Sequence, residues 1–240
     1  MIFGFFDSGL GGLLIMNSVR RHNSFHDYIY LGDTINLPYG PRPAIEILDL
    51  MEPYLLWLFQ VKKCDYVCVA CNTASVKSLE LFLKKYPEYK KRFIDIVSPT
   101  QLFLRTQEKV LVLATEGTVL SNQYAQHSGV IQRSMPGLVR LIESGDIFKA
   151  MVMVENVIVE YSYLTNILLA CTHYILLKDL LTKKYPHITF TSQDDFIIDA
   201  ISKCVIHDDI VGTNEYFVSG DAQDYQLRYP HKFLHIYIPN

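Results

Sequence analysis

The sequence predicts an α/β fold built from two pseudo-symmetric α/β domains with mainly parallel sheets and an active site in the cleft between them. Three observations lead there. Short apolar runs alternate with amphipathic stretches along the chain, the pattern of parallel strands covered by helices. In each half a small polar turn follows one apolar run and a cysteine follows another. The chain has 240 residues, half of them hydrophobic, enough to bury the cores of one or two such domains.

Taken in order, Ile2–Phe6 reads as a strand, followed by the turn Asp7-Ser8-Gly9-Leu10-Gly11-Gly12 and a helix from about Leu13. Tyr28–Leu31 is a second strand that opens into the Pro/Gly-rich loop 32–43, which contains Tyr39-Gly40. Its length marks it as a functional candidate beside the reading as a rigid connector. Glu46–Val61 reads as a helix and Tyr66–Ala70 as a strand ending at Cys71-Asn72-Thr73. Another helix and a strand at Phe93–Val97 precede Pro99. The pattern then restarts. Val110–Ala114 is a strand ending in Thr115-Glu116-Gly117-Thr118, and Asn166–Ala170 one ending in Cys171-Thr172-His173-Tyr174. Met151–Tyr161 has strand-like valines, but its length and position favour a helix. Asp194–Val205 shows helical spacing in Phe196, Ile197, Ala200, Ile201 and Cys204, and Glu215–Ser219 is a late strand that returns to the first domain. The expected domains are 1–97 plus 207–240, and 98–206.

Several function classes are disfavoured. Lys+Arg and Asp+Glu number 22 and 25, a net charge of −3 with no basic stripe, so the sequence predicts no nucleic-acid partner. The first residues lack a signal-peptide pattern and no apolar run approaches a membrane span, so the expectation is a cytoplasmic protein without a membrane partner. Five scattered cysteines make a poor disulfide framework. Cys64, Cys68 and Cys71 are close enough to suggest a metal site. A strand through them would put Cys64 and Cys68 on one face and Cys71 at its end, so no metal site is expected. Cys64, Cys68 and Cys204 read as packed apolar thiols.

Cys71 and Cys171 call for another account. Taken singly, a free cysteine is usually a small buried hydrophobe. Here two cysteines follow equivalent strands, each with short polar residues after it, and ligands of open α/β sheets bind beyond the carboxyl ends of strands. Inverting a weakly acidic α-carbon without a Schiff base needs two acid/base groups that straddle it, one removing and one delivering a proton. A thiol suits both tasks when its pKa is tuned toward neutrality, and a strand-to-helix junction favours a thiolate. Asp7 and His173 form a matching pair of assistants, one per cysteine. The Gly9–Gly12 turn departs from a dinucleotide fingerprint at Leu14. Such a turn, like Asn72-Thr73 and Thr172, can also cradle a substrate carboxylate.

Six ordered motifs carry a resemblance. They are Phe6-Asp7-Ser8-Gly9-Leu10-Gly11-Gly12, Gly32-Asp33-Thr34, Pro38-Tyr39-Gly40-Pro41-Arg42, Ala70-Cys71-Asn72-Thr73-Ala74-Ser75, Thr115-Glu116-Gly117-Thr118-Val119 and Cys171-Thr172-His173-Tyr174. From about Ile2 to Gly220 they resemble glutamate racemase, of the aspartate/glutamate racemase superfamily. The resemblance implies a homodimer that converts L-glutamate to D-glutamate for peptidoglycan synthesis, with no cofactor and no metal. It implies that Cys71 takes the proton from D-glutamate and Cys171 from L-glutamate, assisted by Asp7, His173 and Glu143. It implies a substrate held by Asp7, Ser8, Tyr39, Gly40, Asn72, Thr73, Thr118, Thr172 and His173. The chain departs from the family pattern at Ser98, Arg140 and Ile175 and is shorter between Val119 and Glu143. Aspartate racemization and non-catalytic ligand binding are the alternatives.

Overall fold

A computed structural model of the chain describes residues 1–203, 211–228 and 231–236. Its strands are β1 (Ile2–Asp7), β2 (Asp27–Gly32), β3 (Tyr66–Val69), β4 (Phe93–Ile94), β5 (Val110–Ala114), β6 (Val130–Ser134), β7 (Asn166–Ala170), β8 (Thr189–Ser192), β9 (Asn214–Val218) and β10 (Phe233–His235). They form two sheets, ordered β10-β9-β2-β1-β3-β4 and β6-β5-β7-β8. Every ladder among the described strands is parallel.

Helices α1 (Gly11–His22), α2 (Ala44–Gln60), α3 (Asn72–Lys77), α4 (Leu79–Lys85), α5 (Val97–Arg105), α6 (Glu116–Leu120), α7 (Leu138–Glu143), α8 (Ile147–Glu160), α9 (Ile175–Lys184), α10 (Asp194–Ser202) and α11 (Ala222–Arg228) surround the sheets. Parallel sheets are covered on both faces, so their central strands run as almost uninterrupted apolar segments. In the first sheet Phe3, Phe5, Tyr28, Tyr30 and Cys68 pack toward α1, while Phe6, Ile29, Leu31, Val67 and Val69 pack toward α2. In the second, Leu111, Leu113, Ile167 and Leu169 meet residues of α7, α8 and α9, and Val112, Ala114 and Leu168 meet Leu104 and Tyr124. Among the described residues, no helix is long and apolar enough to cross a membrane.

Two expectations are corrected. The strand expected at Phe93–Val97 stops at Ile94, because the Asp95 carboxylate accepts from the backbone N–H of Val97 (2.7 Å) and Ser98 (3.1 Å) and starts α5. Pro99 falls in the first turn of that helix, where its missing N–H has no helical partner to lose. Cys64 and Cys68 do not share a face. β3 begins only at Tyr66, so Cys64 packs with the α2-side core and Cys68 with the α1-side core. Helix α10 lies between the two cores, with Ile197 and Ile201 in that of the first sheet and Phe196 against that of the second. Cys204, Val205 and the expected boundary at 206/207 lie outside the described residues.

Candidate active site

Asp7, Cys71, Thr115 and Cys171 each stand at the carboxyl end of a strand or just past it, on β1, β3, β5 and β7. The two sheets turn these ends toward one cavity of about 190 Å³. Asp7, Ser8, Tyr39, Gly40, Cys71, Asn72 and Thr73 line it from the first domain, and Thr115, Cys171, Thr172 and His173 from the second. The expected residues therefore converge, with two set back from the wall. Glu143 reaches the cavity through His173. Thr118 is fully buried and bonds the Thr115 hydroxyl at 3.0 Å, while Thr115 in turn meets the Thr73 hydroxyl at 2.8 Å.

Cys71 precedes α3, and its sulfur lies 3.5 Å from the Ser8 hydroxyl. Ser8 donates its backbone N–H to Asp7 Oδ1 at 2.7 Å. Burial pushes the Cys71 thiol well above the usual cysteine range, and the nearby Asp7 charge adds to the effect. This differs from the thiolate expected at a helix start. α3 is six residues long, so its dipole is outweighed by the loss of solvent. Burial likewise raises the Asp7 pKa, partly offset by the His173 charge and by bonds from Thr172 and Ser8.

The second thiol has a different environment. His173 directs Nδ1 at the Cys171 sulfur (4.0 Å) and Nε2 at Glu143 Oε1 (2.6 Å). Burial disfavours the imidazolium, but the contacts with Cys171 and Glu143 prevail and hold the His173 pKa well above the ordinary histidine value. One cysteine thus faces a buried carboxylate, the other a histidine backed by a carboxylate.

The glycine-rich turn holds the two domains together and is not part of the cavity wall. A β-carbon on Gly9 would come within 2.6 Å of Glu143 Oε1, and one on Gly12 within 2.6 Å of the Asp7 β-carbon. The Leu10 N–H, a candidate carboxylate donor from sequence, is occupied by Glu143 at 3.0 Å. Thr172 donates across the same contact to Asp7 Oδ2 at 2.9 Å. In the 32–43 loop, the Tyr39 hydroxyl donates to buried Asp33 (2.7 Å), which also accepts from Asn36 and from Ser219 of the late β9 turn. That anchorage leaves Tyr39-Gly40 fixed against the cavity.

Sequence reasoning missed the wall formed by Met135, Pro136, Gly137 and Val139, which follows an edge strand and has no chemistry of its own. Arg140 stood out only as a departure from a pattern, yet it lines the same wall. Gln193 and Tyr124, bonded to Asn72, were also missed.

No protein-family model matches the chain. It is similar to the glutamate racemase of a Synechococcus species, 33% identical over 198 residues that cover 77% of this chain and 72% of the relative. In structure it is similar to the glutamate racemase of Thermus thermophilus, with a TM-score of 0.83 at 23% identity, covering 98% of this chain and 96% of that one. The glutamate racemase of Aquifex pyrophilus matches with a TM-score of 0.75 at 27% identity, over 97% of this chain and 98% of that one.

Proposed function

The chain belongs to the glutamate racemase family, and from that premise we infer that it interconverts L- and D-glutamate with two thiols as the acid and base. The observation that carries the reading is the placement of Cys71 and Cys171 on one small cavity, each with its own polar partners. One sulfur removes the α-proton, and the opposite sulfur delivers a proton to the other face of the resulting carbanion. Cys71, held as a thiol by burial, suits delivery. The His173 cation faces the Cys171 sulfur and supplies the positive charge that a proton-abstracting sulfur needs. The substrate ammonium, entering a water-poor cavity, opposes the effect of burial on whichever thiol must ionise. Asp7, Ser8, Tyr39, Gly40, Asn72, Thr73, Thr172 and His173 form the substrate-holding set, with Thr118 acting through Thr115 and Glu143 through His173.

The reaction needs no cofactor on this reading. The product supplies peptidoglycan synthesis in the cytoplasm, and the protein works as a homodimer, which sedimentation tests directly. The deciding experiment follows circular dichroism of purified protein with each enantiomer of glutamate, then of aspartate. The expected result is loss of signal from both glutamates, with kcat/KM for glutamate at least about 10-fold above that for aspartate, the discrimination one methylene commonly gives. A preference for aspartate, or no turnover of either acid, overturns the reading.

A further inference from the structure

Asn72 is the one cavity-wall residue in a chain of buried hydrogen bonds that runs between the two domains. Thr100 on α5 donates its hydroxyl to the Ile96 carbonyl at 2.6 Å. A carbonyl can only accept, so the single Thr100 proton is committed there and the Thr100 oxygen must accept. It accepts from Gln193 Nε2 at 2.8 Å, and the same nitrogen donates to the Tyr124 hydroxyl at 3.1 Å. Gln193 therefore turns Oε1 toward Asn72, where it accepts from Nδ2. Tyr124, already accepting, donates its proton to Asn72 Oδ1 at 2.9 Å. One backbone carbonyl fixes the direction of every bond in the chain. Thr100, Tyr124, Gln193 and Asn72 are at most 2% exposed, so water does not compete for these bonds.

Asn72 has two orientations of nearly equal shape, differing in whether nitrogen or oxygen occupies a given place. An anionic substrate distinguishes them sharply, since N–H attracts a carboxylate and a carbonyl oxygen repels it. We propose that Gln193, with Thr100 behind it, is a positioning residue that locks the Asn72 carboxamide in the orientation needed to receive glutamate. The proposal rests on the glutamate reading above and adds to it a cause lying outside the cavity.

The informative variant is Thr100→Val, which keeps shape and removes the hydroxyl. Gln193 is then free to turn end for end. Asn72 and Tyr124 can follow with every other bond re-formed in the opposite sense, so the fold survives while the polarity at the wall is lost. KM for both glutamate enantiomers is expected to rise about 10-fold, the weight of one hydrogen bond to a charged group, with kcat changed less than about threefold. Thr100→Ser restores the hydroxyl and should return KM to near the wild-type value. In an Asn72→Ala background, Thr100→Val should have no further effect, because the residue it acts through is gone. If Thr100→Val does not fold, Gln193→Met is the second route to a freed amide and carries the same expectation. An unchanged KM in a folded variant, or an equal additional loss in the Asn72→Ala background, overturns the proposal. If the wild-type protein does not turn over glutamate, the functional reading falls. The same series is then read by calorimetric binding of glutamate, with the same shift expected and the same outcomes decisive.

Discussion

Gly11 and Thr172 touch across the cleft: a β-carbon on Gly11 would stand 2.1 Å from Thr172 Oγ1 and 2.8 Å from the His173 backbone nitrogen. Backbone is among the obstacles, so rotating a side chain does not relieve the clash. Gly11→Ala is expected to push the strand ends apart and draw the thiols out of line. A misplacement of about 1 Å commonly costs about 100-fold, so kcat/KM should fall by that order in a protein that still melts cooperatively. Near-wild-type turnover by Gly11→Ala would show that the domains tolerate separation.

Each thiol should be indispensable for racemization and dispensable for one half-reaction. A hydroxyl is far harder to ionise than a thiol, so Cys71→Ser and Cys171→Ser are both expected to lose inversion in both directions. A glutamate analogue with a leaving group on the β-carbon needs only proton abstraction in order to eliminate. On that substrate Cys71→Ser should process only the L-like form and Cys171→Ser only the D-like form, which separate assays of the enantiomers will show. Efficient racemization by either variant rejects the two-thiol mechanism. Exchanged preferences reject only the assignment of faces.

The Glu143–His173 pair links stability to pH. The folded-state pKa of His173 lies above its unfolded value, near 6.5. Its stabilisation is therefore complete below that value and is lost as pH rises through the folded pKa. Glu143→Gln removes one of the contacts that favour the imidazolium. Its melting temperature should decline less steeply than that of the wild type between neutral and alkaline pH. The same change should lower kcat/KM for L-glutamate about 100-fold, the lower end of what a positioned acid/base partner contributes. Parallel pH profiles for the two proteins would contradict this.

Asp7 works against the fold. Its pKa is raised by burial, so the ionised carboxylate costs stability once pH exceeds the unfolded value, and folding favours the protonated form. Asp7→Asn keeps an acceptor for the Ser8 N–H and removes the buried charge. The expected result at neutral pH is about 1 kcal/mol of added stability, or about 2–4 °C in melting temperature for a chain of this size, together with a large loss of activity. A less stable Asp7→Asn protein would show that the carboxylate's hydrogen bonds outweigh its desolvation.

The sequence reads clearly where a strand is buried on both faces. β1, β3, β5 and β7 are apolar segments, and the residues at or just past the ends of three of them, Asp7, Cys71 and Cys171, were the first candidates for chemistry. β6 is a half-exposed edge with polar residues, so it did not stand out, nor did the Met135–Val139 wall that follows it. The turn Gly9–Gly12 was legible as a site element but not in its role, because its neighbours Glu143, Thr172 and His173 belong to the other half of the chain. The state of Cys71 was misjudged from its helix start alone, since burial depends on everything that packs around it. The bonds of Gln193 and Tyr124 to Asn72 are wholly tertiary, and no local pattern announces them.

The parallel pairing of β2 with β9, in which Tyr28 meets Asn214, has a consequence for biosynthesis. The ribosome completes β2 long before β9 exists, and at about 5–20 residues per second the interval is roughly 10–40 s. Throughout that time the nascent chain carries β2 with an unpaired edge, the kind of surface on which chains associate wrongly. The contiguous stretch that forms β5 to β8 is translated within that interval and can fold before its elder neighbour. The sheet whose strands are synthesised first is thus the last to be completed.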